Sequence, residues 1–436
     1  MCNTTGGSNV AIGFEASNLN TEGTGNVAVG YEALEANTTG GVNVAIGYRA
    51  LKVNTTADNN LAVGYASLCT NTTGEENVAL GSNAMLENTT GARNVAIGRR
   101  ALQENTTAEN NTAVGNSAMQ NNTTGAGNVA VGALAGDALT TGHSHVAVGF
   151  CALTTATTPE GNTALGNSAL KLTTTGGDNV ALGRRSLCVN TTGGNNTSVG
   201  PYSMTSNTTG AGNVAIGIQT LCSNTTASNN TAVGIDALKT NTTATNNTAV
   251  GCGAMALNTT GADNTAVGRG ALAANTTGTP NTAVGSLALT ANTEGASNTA
   301  VGRQSMQANT TGNCNTAVGR CSLKVTTTGS ENTGIGSLAG SCNTTAGGNT
   351  AVGFAALERA TTGGVNTAHG VLSLKGNTTG VGNVGIGYAS GCSTTTGDCN
   401  TTIGYRANTD DADAQYQIVI GPEDVSNKFG TVGHNT

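Results

Sequence analysis

Two short segments of this sequence carry side chains of the kinds that bind metal ions. His143 and His145 stand two residues apart in Gly-His-Ser-His, and imidazole nitrogen is a frequent zinc ligand. Asp410 and Asp413 bound the run Asp-Asp-Ala-Asp, which lacks the glycine and the spaced oxygens of a calcium loop. Because no cysteine or carboxylate stands next to the histidines, we interpret them as surface substitutions in a turn. We interpret the aspartates as an acidic cap. We predict neither a metal nor a cofactor.

Asn-Thr-Thr, which matches the Asn-x-Thr acceptor of N-glycosylation, occurs sixteen times at the same position, position 12, of a 17-residue repeat. The same residues also suit a turn without any sugar, because Asn and Thr side chains bond to nearby backbone. Turn chemistry is the favoured interpretation, and glycosylation on an exposed loop is the alternative. Representative candidate acceptors are Asn37, Asn54, Asn71, Asn190 and Asn377.

Covalent and catalytic chemistry is sparse elsewhere. The chain has 11 cysteines, of which Cys392 and Cys399 flank one turn and form the local pair that we consider for a disulfide. No Ser, His and Asp constellation suggests nucleophilic catalysis. No glycine-rich segment ends in the Lys-Ser/Thr of a phosphate loop. We therefore predict that the protein is not an enzyme.

All of these residues lie within a repeat of 17 residues. Asn opens each unit from Asn9 to Asn400, over 23 steps of 17 residues, with His145 as the one substitution. The frame extends to Gln417, which makes 25 units. With that Asn as position 1, the unit reads Asn, Val/Thr, Ala, Val/Ile/Leu, Gly, two variable residues, Ala/Ser, Leu, two variable residues, Asn-Thr-Thr-Gly and two variable residues. Repetition on this scale predicts units that stack on one another.

Each unit contains the signals of strands and corners. Position 5 is Gly in all 25 units, which indicates a corner with positive φ or a close backbone approach. Positions 2 to 4 predict a short strand, Ala-Leu at positions 8 and 9 begins a second, and Asn-Thr-Thr-Gly makes the wider turn. The Asn at position 1 is expected to form an amide ladder between units. The corner includes Gly13, Gly30, Gly47, Gly234, Gly404 and Gly421, and the ladder includes Asn9, Asn26, Asn43, Asn60 and Asn400.

Seventeen residues are too few for a helical repeat but fit two strands and two turns. The sequence therefore predicts an all-β fold, a parallel β-solenoid (β-roll) of about 25 coils with a strict 17-residue repeat and two short strands per coil. Residues 1–421 are expected to form one continuous array and residues 422–436 a C-terminal capping segment. At ~4.8 Å per coil, the expected length is on the order of 120 Å.

The pattern leaves open which side chains fill the coil. Position 4 is aliphatic in 24 of 25 units, with His369 as the exception, and position 9 is mostly Leu or Met, so both columns suit a single-chain core. Ala at positions 3 and 8 offers a narrower interior, which would turn Val and Ile outward as an apolar stripe. Partners would have to cover such a stripe, and a closed cyclic trimer is the economical arrangement.

Composition excludes several classes of protein. The 436 residues include 65 glycines, 3% aromatic and 9% charged residues, which argues against a large globular core. The regular return of Val, Ile or Leu argues against disorder. A net charge of −7 offers no basic surface for nucleic acid. Apolar runs are far shorter than the ~20 residues of a membrane span, so membrane insertion is not expected.

The repeated phrases resemble two related groups of proteins. Asn-Val-Ala-Ile-Gly resembles the head repeats of trimeric autotransporter adhesins. NTTGADNTAVGRGAL, residues 258–272, is similar to the repeats of bacteriophage and related viral tail-fibre proteins, and residues 400–421 are similar to the way such repeats end. The resemblance covers nearly the whole chain and implies a left-handed parallel β-roll assembled as a trimer, although the unit here is longer than the usual adhesin-head unit. The first phrase occurs at residues 9–13, 43–47, 94–98 and 213–217.

Three functions are compatible with these features. The favoured one is a structural fibre, a rigid extracellular or virion-surface shaft that spaces or presents an adhesive tip. The alternative is an adhesin whose repeated surface binds a cell-surface glycan or polymer, which the variation at positions 6, 7, 10 and 11 disfavours. Ice binding by Thr columns is also disfavoured, because the adjacent Thr-Thr pairs of the turn face different ways.

The two ends of the array differ in whether their residues can shield the exposed edge of the sheet. Terminal coils of a solenoid expose unpaired backbone groups. Pro422 and the charged Glu423, Asp424 and Lys428 could blunt one edge, whereas Met1 leads directly into an incomplete unit. We therefore expect the N-terminal edge to be covered by another chain or by an upstream segment, so that the protein is one section of an end-to-end filament.

Overall fold

The computed structural model describes residues 4–422, so the predicted capping segment, apart from Pro422, lies outside the described residues. The chain divides into two compact units, Met1–Ile216 and Gly217–Thr436. Each unit is a stack of 17-residue coils, and residues 4–422 contain 25 strands and no helix. The predicted all-β parallel solenoid is therefore confirmed. Among these residues no helix has the length and apolarity needed to cross a membrane.

The first unit is built on one parallel sheet of 13 strands, with one three-residue strand from each coil. Neighbouring strands pair in the register of the repeat, so that Val27 lies opposite Val44 and Ala28 opposite Ala45. Val and Ile at these positions favour an extended backbone because of their branched side chains. The strands are β1 (Val10–Ile12), β2 (Val27–Val29), β3 (Val44–Ile46), β4 (Leu61–Val63), β5 (Val78–Leu80), β6 (Val95–Ile97), β7 (Thr112–Val114), β8 (Val129–Val131), β9 (Val146–Val148), β10 (Thr163–Leu165), β11 (Val180–Leu182), β12 (Thr197–Val199) and β13 (Val214–Ile216).

The second unit has the same architecture with 12 strands. Its register is again 17 residues, with Thr265 opposite Thr282 and Val267 opposite Val284. The strands are β14 (Thr231–Val233), β15 (Thr248–Val250), β16 (Thr265–Val267), β17 (Thr282–Val284), β18 (Thr299–Val301), β19 (Thr316–Val318), β20 (Thr333–Ile335), β21 (Thr350–Val352), β22 (Thr367–His369), β23 (Val384–Ile386), β24 (Thr401–Ile403) and β25 (Ile418–Ile420).

The corner at position 5 requires glycine. All 25 of these glycines have φ between +126° and +142°, a region that residues with a Cβ rarely adopt. A Cβ at Gly234 would also lie 2.7 Å from both the carbonyl carbon and the carbonyl oxygen of Gly251 in the next coil. Gly13, Gly30, Gly47, Gly404 and Gly421 have φ values of +131°, +141°, +136°, +134° and +135°.

The second strand predicted at positions 8 and 9 is wrong. Alternate residues of this segment have a left-handed backbone, as at Glu32 with φ +53° and Leu34 with φ +52°, and such residues cannot extend as a strand. The segment still joins the coils, because the Glu32 N–H donates to the carbonyl of Phe14 in the preceding coil and the Leu34 N–H to that of Ala50 in the next. Instead of the two strands that were expected, each coil has one strand and one non-extended, hydrogen-bonded segment. This segment covers positions 6 to 11, and we call it the flank.

The core is narrow and lies between that flank and the strand. Ala at position 3 and Leu or Met at position 9 are buried; Ala45 and Leu51 are the examples from one coil. The spacing between these columns is tight, because a Cβ at Gly385, which holds position 3, would lie 2.8 Å from Cγ of Leu374. Only a small residue fits opposite the leucine column. The larger side chains at positions 2 and 4 therefore point away from the core.

Candidate functional site

The outer side of each sheet is an uncharged surface formed by positions 2 and 4, which we call the strand face. Ala266 at position 3 is fully buried, whereas Val267 beside it is 37% exposed. Ile216 and Ile386, which also hold position 4, are 40% and 42% exposed. The sequence allowed either a core of positions 4 and 9 or a narrower core of alanines. The coil has the narrower core, in which Val and Ile at position 4 face outward, but Leu or Met at position 9 is also inside.

The strand face is long and regular in both units. None of its residues from β1 to β25 is Asp, Glu, Lys or Arg. At position 2, ten of the 13 residues in the first unit are Val or Leu, whereas ten of the 12 in the second unit are Thr. With strands ~10 Å long and ~4.8 Å apart, each unit presents a face on the order of 600 Å². This area approaches the ~800 Å² that one partner contributes to a stable protein interface.

The Asn at position 1 links neighbouring coils through the backbone. Oδ1 of Asn43 accepts a hydrogen bond from the N–H of Asn60 in the next coil at 2.9 Å. Nδ2 of Asn43 donates to the carbonyl of Ala57 in its own coil at 2.8 Å. Each side chain therefore joins the strand of one coil to its own wide turn and to the next coil. The same pair of bonds is made by Asn9, Asn26, Asn60 and Asn400.

The Asn at position 12 forms a direct side-chain ladder. The amide ladder predicted at position 1 is also present in several coils, where Nδ2 of one Asn donates to Oδ1 of the Asn before it, as from Asn94 to Asn77 at 3.2 Å and from Asn400 to Asn383 at 3.1 Å. Nδ2 of Asn54 donates to Oδ1 of Asn37 at 2.9 Å and to the carbonyl of Ala57 at 3.0 Å, and Asn71 bonds to Asn54 in the same way. The candidate glycosylation sites belong to this buried column, so they do not lie on an exposed loop. The nitrogen that would carry a sugar is already a buried donor. Asn37, Asn54, Asn71, Asn190 and Asn377 are all 0% exposed.

His145 reproduces the bonds of the asparagine that it replaces. It is buried rather than a surface substitution. Nδ1 accepts from the N–H of Asn162 at 3.1 Å, and Nε2–H donates to the carbonyl of Pro159 at 2.7 Å. These partners require the neutral ring with its proton on Nε2. Burial lowers the pKa of His145, whereas His143 is exposed, with Nε2 2.8 Å from Oε1 of Glu160.

We expect the stability of the first unit to fall as the pH is lowered below about 6.5, the ordinary His pKa. In this window the unfolded His145 binds a proton that the folded ring excludes, so the unfolded state is favoured. His145→Asn restores the repeat and should remove this component of the pH dependence. His143→Asn, which leaves the ladder intact, should retain it. Thermal unfolding from about pH 8 to about pH 5 measures the difference, and equal pH slopes for His145→Asn and the unchanged chain would contradict the assignment.

Three carboxylates near the start of the chain, those of Glu15, Glu32 and Glu35, have oxygens within 4.8 Å of one another. Two cations already bind two of these three carboxylates. Glu32 accepts hydrogen bonds from Arg49 at 2.9 Å and from Lys52 at 2.5 Å, and Lys52 lies 3.4 Å from Glu35. The bond from Lys52 lowers the pKa of the Glu32 carboxyl. The cluster is therefore an ion-pair network across coils.

Aromatic rings at position 6 form a stack that the sequence analysis did not recognise. Phe14, Tyr31, Tyr48 and Tyr65 stack in succession with centroids 5.1 to 5.2 Å apart and planes within 13° of parallel. Their recurrence at intervals of 17 residues was the available signal, but position 6 was treated as variable. The stack adds packing between four coils on the flank.

The disulfide considered between Cys392 and Cys399 is not formed, because both are free thiols. Cys392 is half-buried ahead of the buried Thr394, whereas Cys399 lies on the exposed side after the turn. Asp410 and Asp413 are also exposed. Within residues 4–422, the only group of three or more candidate ligand residues is the glutamate cluster.

Comparison with models of known protein families gave no match. Comparison with curated proteins gave no match either.

Proposed function

We propose that the protein is a structural fibre component, a rigid extracellular or virion-surface shaft that spaces or presents an adhesive tip. The observation that carries this proposal is the uncharged strand face, which recurs in every coil without a break in the 17-residue register. In the first unit this face is mostly apolar, and a contiguous apolar surface of this size marks an interaction site. Because the face recurs once in every coil along each unit, the partner that matches its period best is another copy of the chain.

A closed arrangement of three chains would remove the strand faces from water. Each coil offers one strand face, so three copies around a common axis would turn all their faces inward. The first unit, where position 2 is mostly Val or Leu, supplies the more apolar part of this contact. The resemblance to trimeric adhesin heads and tail-fibre repeats supports the same arrangement.

Lysine substitutions on the strand face test the proposal. Val129 and Val146 are 36% and 38% exposed, so Val129→Lys with Val146→Lys should leave the coil folded but place two charges in the interface. We expect the double variant to dissociate to monomers with unchanged circular dichroism. Thr124→Lys with Thr141→Lys, on the exposed wide turn of the same region, adds equal charge and should stay assembled. Equal masses for the two double variants would contradict the proposal.

The strand face of the second unit supports ice binding as a second candidate function. Nine consecutive strands, β14 to β22, carry Thr at position 2 on the outer surface. These hydroxyl groups recur at ~4.8 Å along one side of the sheet, unlike the Thr-Thr pairs of the turn. Self-association through this face and contact with ice exclude one another. An ice-recrystallisation assay on the unchanged chain and on Thr282→Lys separates the two, since only an ice-binding face would give inhibition that the substitution removes.

A further inference from the structure

A pocket of about 460 Å³ lies on the flank of the second unit. Gly376, Ala389 and Cys392 are among its lining residues, and their short side chains leave space that longer residues would fill. The volume is within the ~300–1,000 Å³ of small-ligand sites. The pocket is on the flank and not on the strand face, so it remains accessible if the strand faces are covered.

The charge around this pocket is opposite to that of the chain. Arg359, Lys375 and Arg406 line it, and no carboxylate does, although the chain has a net charge of −7 and only 17 Lys and Arg residues. Arg359 makes no ion pair within residues 4–422. Lys375 has one carboxylate partner, Glu358 at 3.1 Å. The concentration of cations favours an anionic ligand.

One wall of the pocket is aromatic. Tyr388 is 42% exposed and stacks on Tyr405 with centroids 5.3 Å apart. The guanidinium of Arg406 lies 5.7 Å from the Tyr405 ring centroid. Leu372 adds further apolar surface to the lining. The pocket therefore combines cations with an apolar surface held in place by stacking between coils.

We propose that this pocket binds a sugar that carries a carboxylate, such as a uronic acid residue of an acidic polysaccharide. The planar guanidinium of Arg359 suits a carboxylate, to which it can donate two parallel hydrogen bonds. Lys375 supplies a second cation, and the Tyr388 wall suits the C–H face of a sugar ring. A free phosphate would use the cations but not the aromatic wall. This binding role goes beyond that of a shaft and does not depend on self-association.

Calorimetric titration of the full chain with glucuronate, glucose and inorganic phosphate tests the proposal. We expect glucuronate to bind with a Kd on the order of 1 mM, and more tightly than either glucose or phosphate. Arg359→Gln and Lys375→Gln should each raise the Kd about tenfold, because each removes a charge-assisted hydrogen bond. Glu358→Gln should lower the Kd, because it releases Lys375 from its ion pair.

Lys324→Gln is the matched control, since Lys324 also holds position 10, three coils before Lys375, and does not line the pocket. It should leave the Kd unchanged. Thermal unfolding of each variant verifies that the coils are intact. Equal affinity for glucuronate and glucose, equal affinity for glucuronate and phosphate, or equal weakening by Lys324→Gln and Lys375→Gln would each overturn the proposal.

Discussion

Replacing Gly234 with Val is expected to lower the free energy of unfolding of the second unit by at least ~1–3 kcal/mol, the cost of one residue held in an unfavourable backbone conformation. Gly234 has φ +128°, and its added Cβ would lie 2.7 Å from two backbone atoms of Gly251. No side-chain rotation relieves a clash between Cβ and backbone. The corner must therefore move, which disturbs the hydrogen bonds to the neighbouring coil.

Gly253→Asp is the control for Gly234→Val. Gly253 also has a positive φ, +65°, but its Cβ would meet nothing within 4 Å. The equivalent residue of the preceding coil is Asp236, with φ +58°, so an aspartate is already accommodated at this position. Urea unfolding of the two variants should show a large loss of stability for the first and little change for the second. An unchanged stability for Gly234→Val would mean that position 5 is not the corner of the coil.

Asn275→Leu is expected to destabilise the second unit by ~3 kcal/mol or more, because it leaves several buried polar groups without partners. Nδ2 of Asn275 donates to Oδ1 of Asn258 at 2.8 Å and to the carbonyl of Gly278 at 3.0 Å. Its Oδ1 accepts from Nδ2 of Asn292 at 2.8 Å. Leucine is of similar size but cannot replace any of these bonds.

Thr277→Ala, two residues further along the same turn, is the control for the ladder. Thr277 is exposed, so its truncation should change the stability by less than ~0.5 kcal/mol. Chemical unfolding followed by circular dichroism measures both variants. A stability of Asn275→Leu close to that of Thr277→Ala would show that the amide ladder contributes little to the fold.

The coil, its register and its corner were predictable from the sequence. An uninterrupted 17-residue period allows one stacking register, and a position such as Gly234 that is always glycine points to a backbone that excludes a Cβ. The second strand was not predictable correctly, because Ala-Leu is compatible with an extended chain. The left-handed conformation of Leu34 and its equivalents becomes favourable only through packing of position 9 in the core and bonds to both neighbouring coils.

The interaction surface was predictable only as one of two alternatives. Alternating Ala and Val are both apolar, so the pattern does not tell which of them is inside. The decisive quantity is the width of the coil, seen in the short distance from position 3 at Gly385 to Leu374. Likewise, the two asparagine columns look alike in sequence, and only their geometry shows that Oδ1 at position 1 accepts a backbone N–H of the next coil, as in Asn43 from Asn60, whereas Asn54 bonds to the side chain of Asn37.

The most direct test of the strand face as an interface is the solution mass of the unchanged chain. Sedimentation equilibrium gives this mass independently of molecular shape. The proposed assembly predicts a mass that is a multiple of the 42.6 kDa chain, and three times that value for the closed trimer. A mass of 42.6 kDa that persists at the highest soluble concentration would contradict the proposal that copies of the chain cover one another's strand faces.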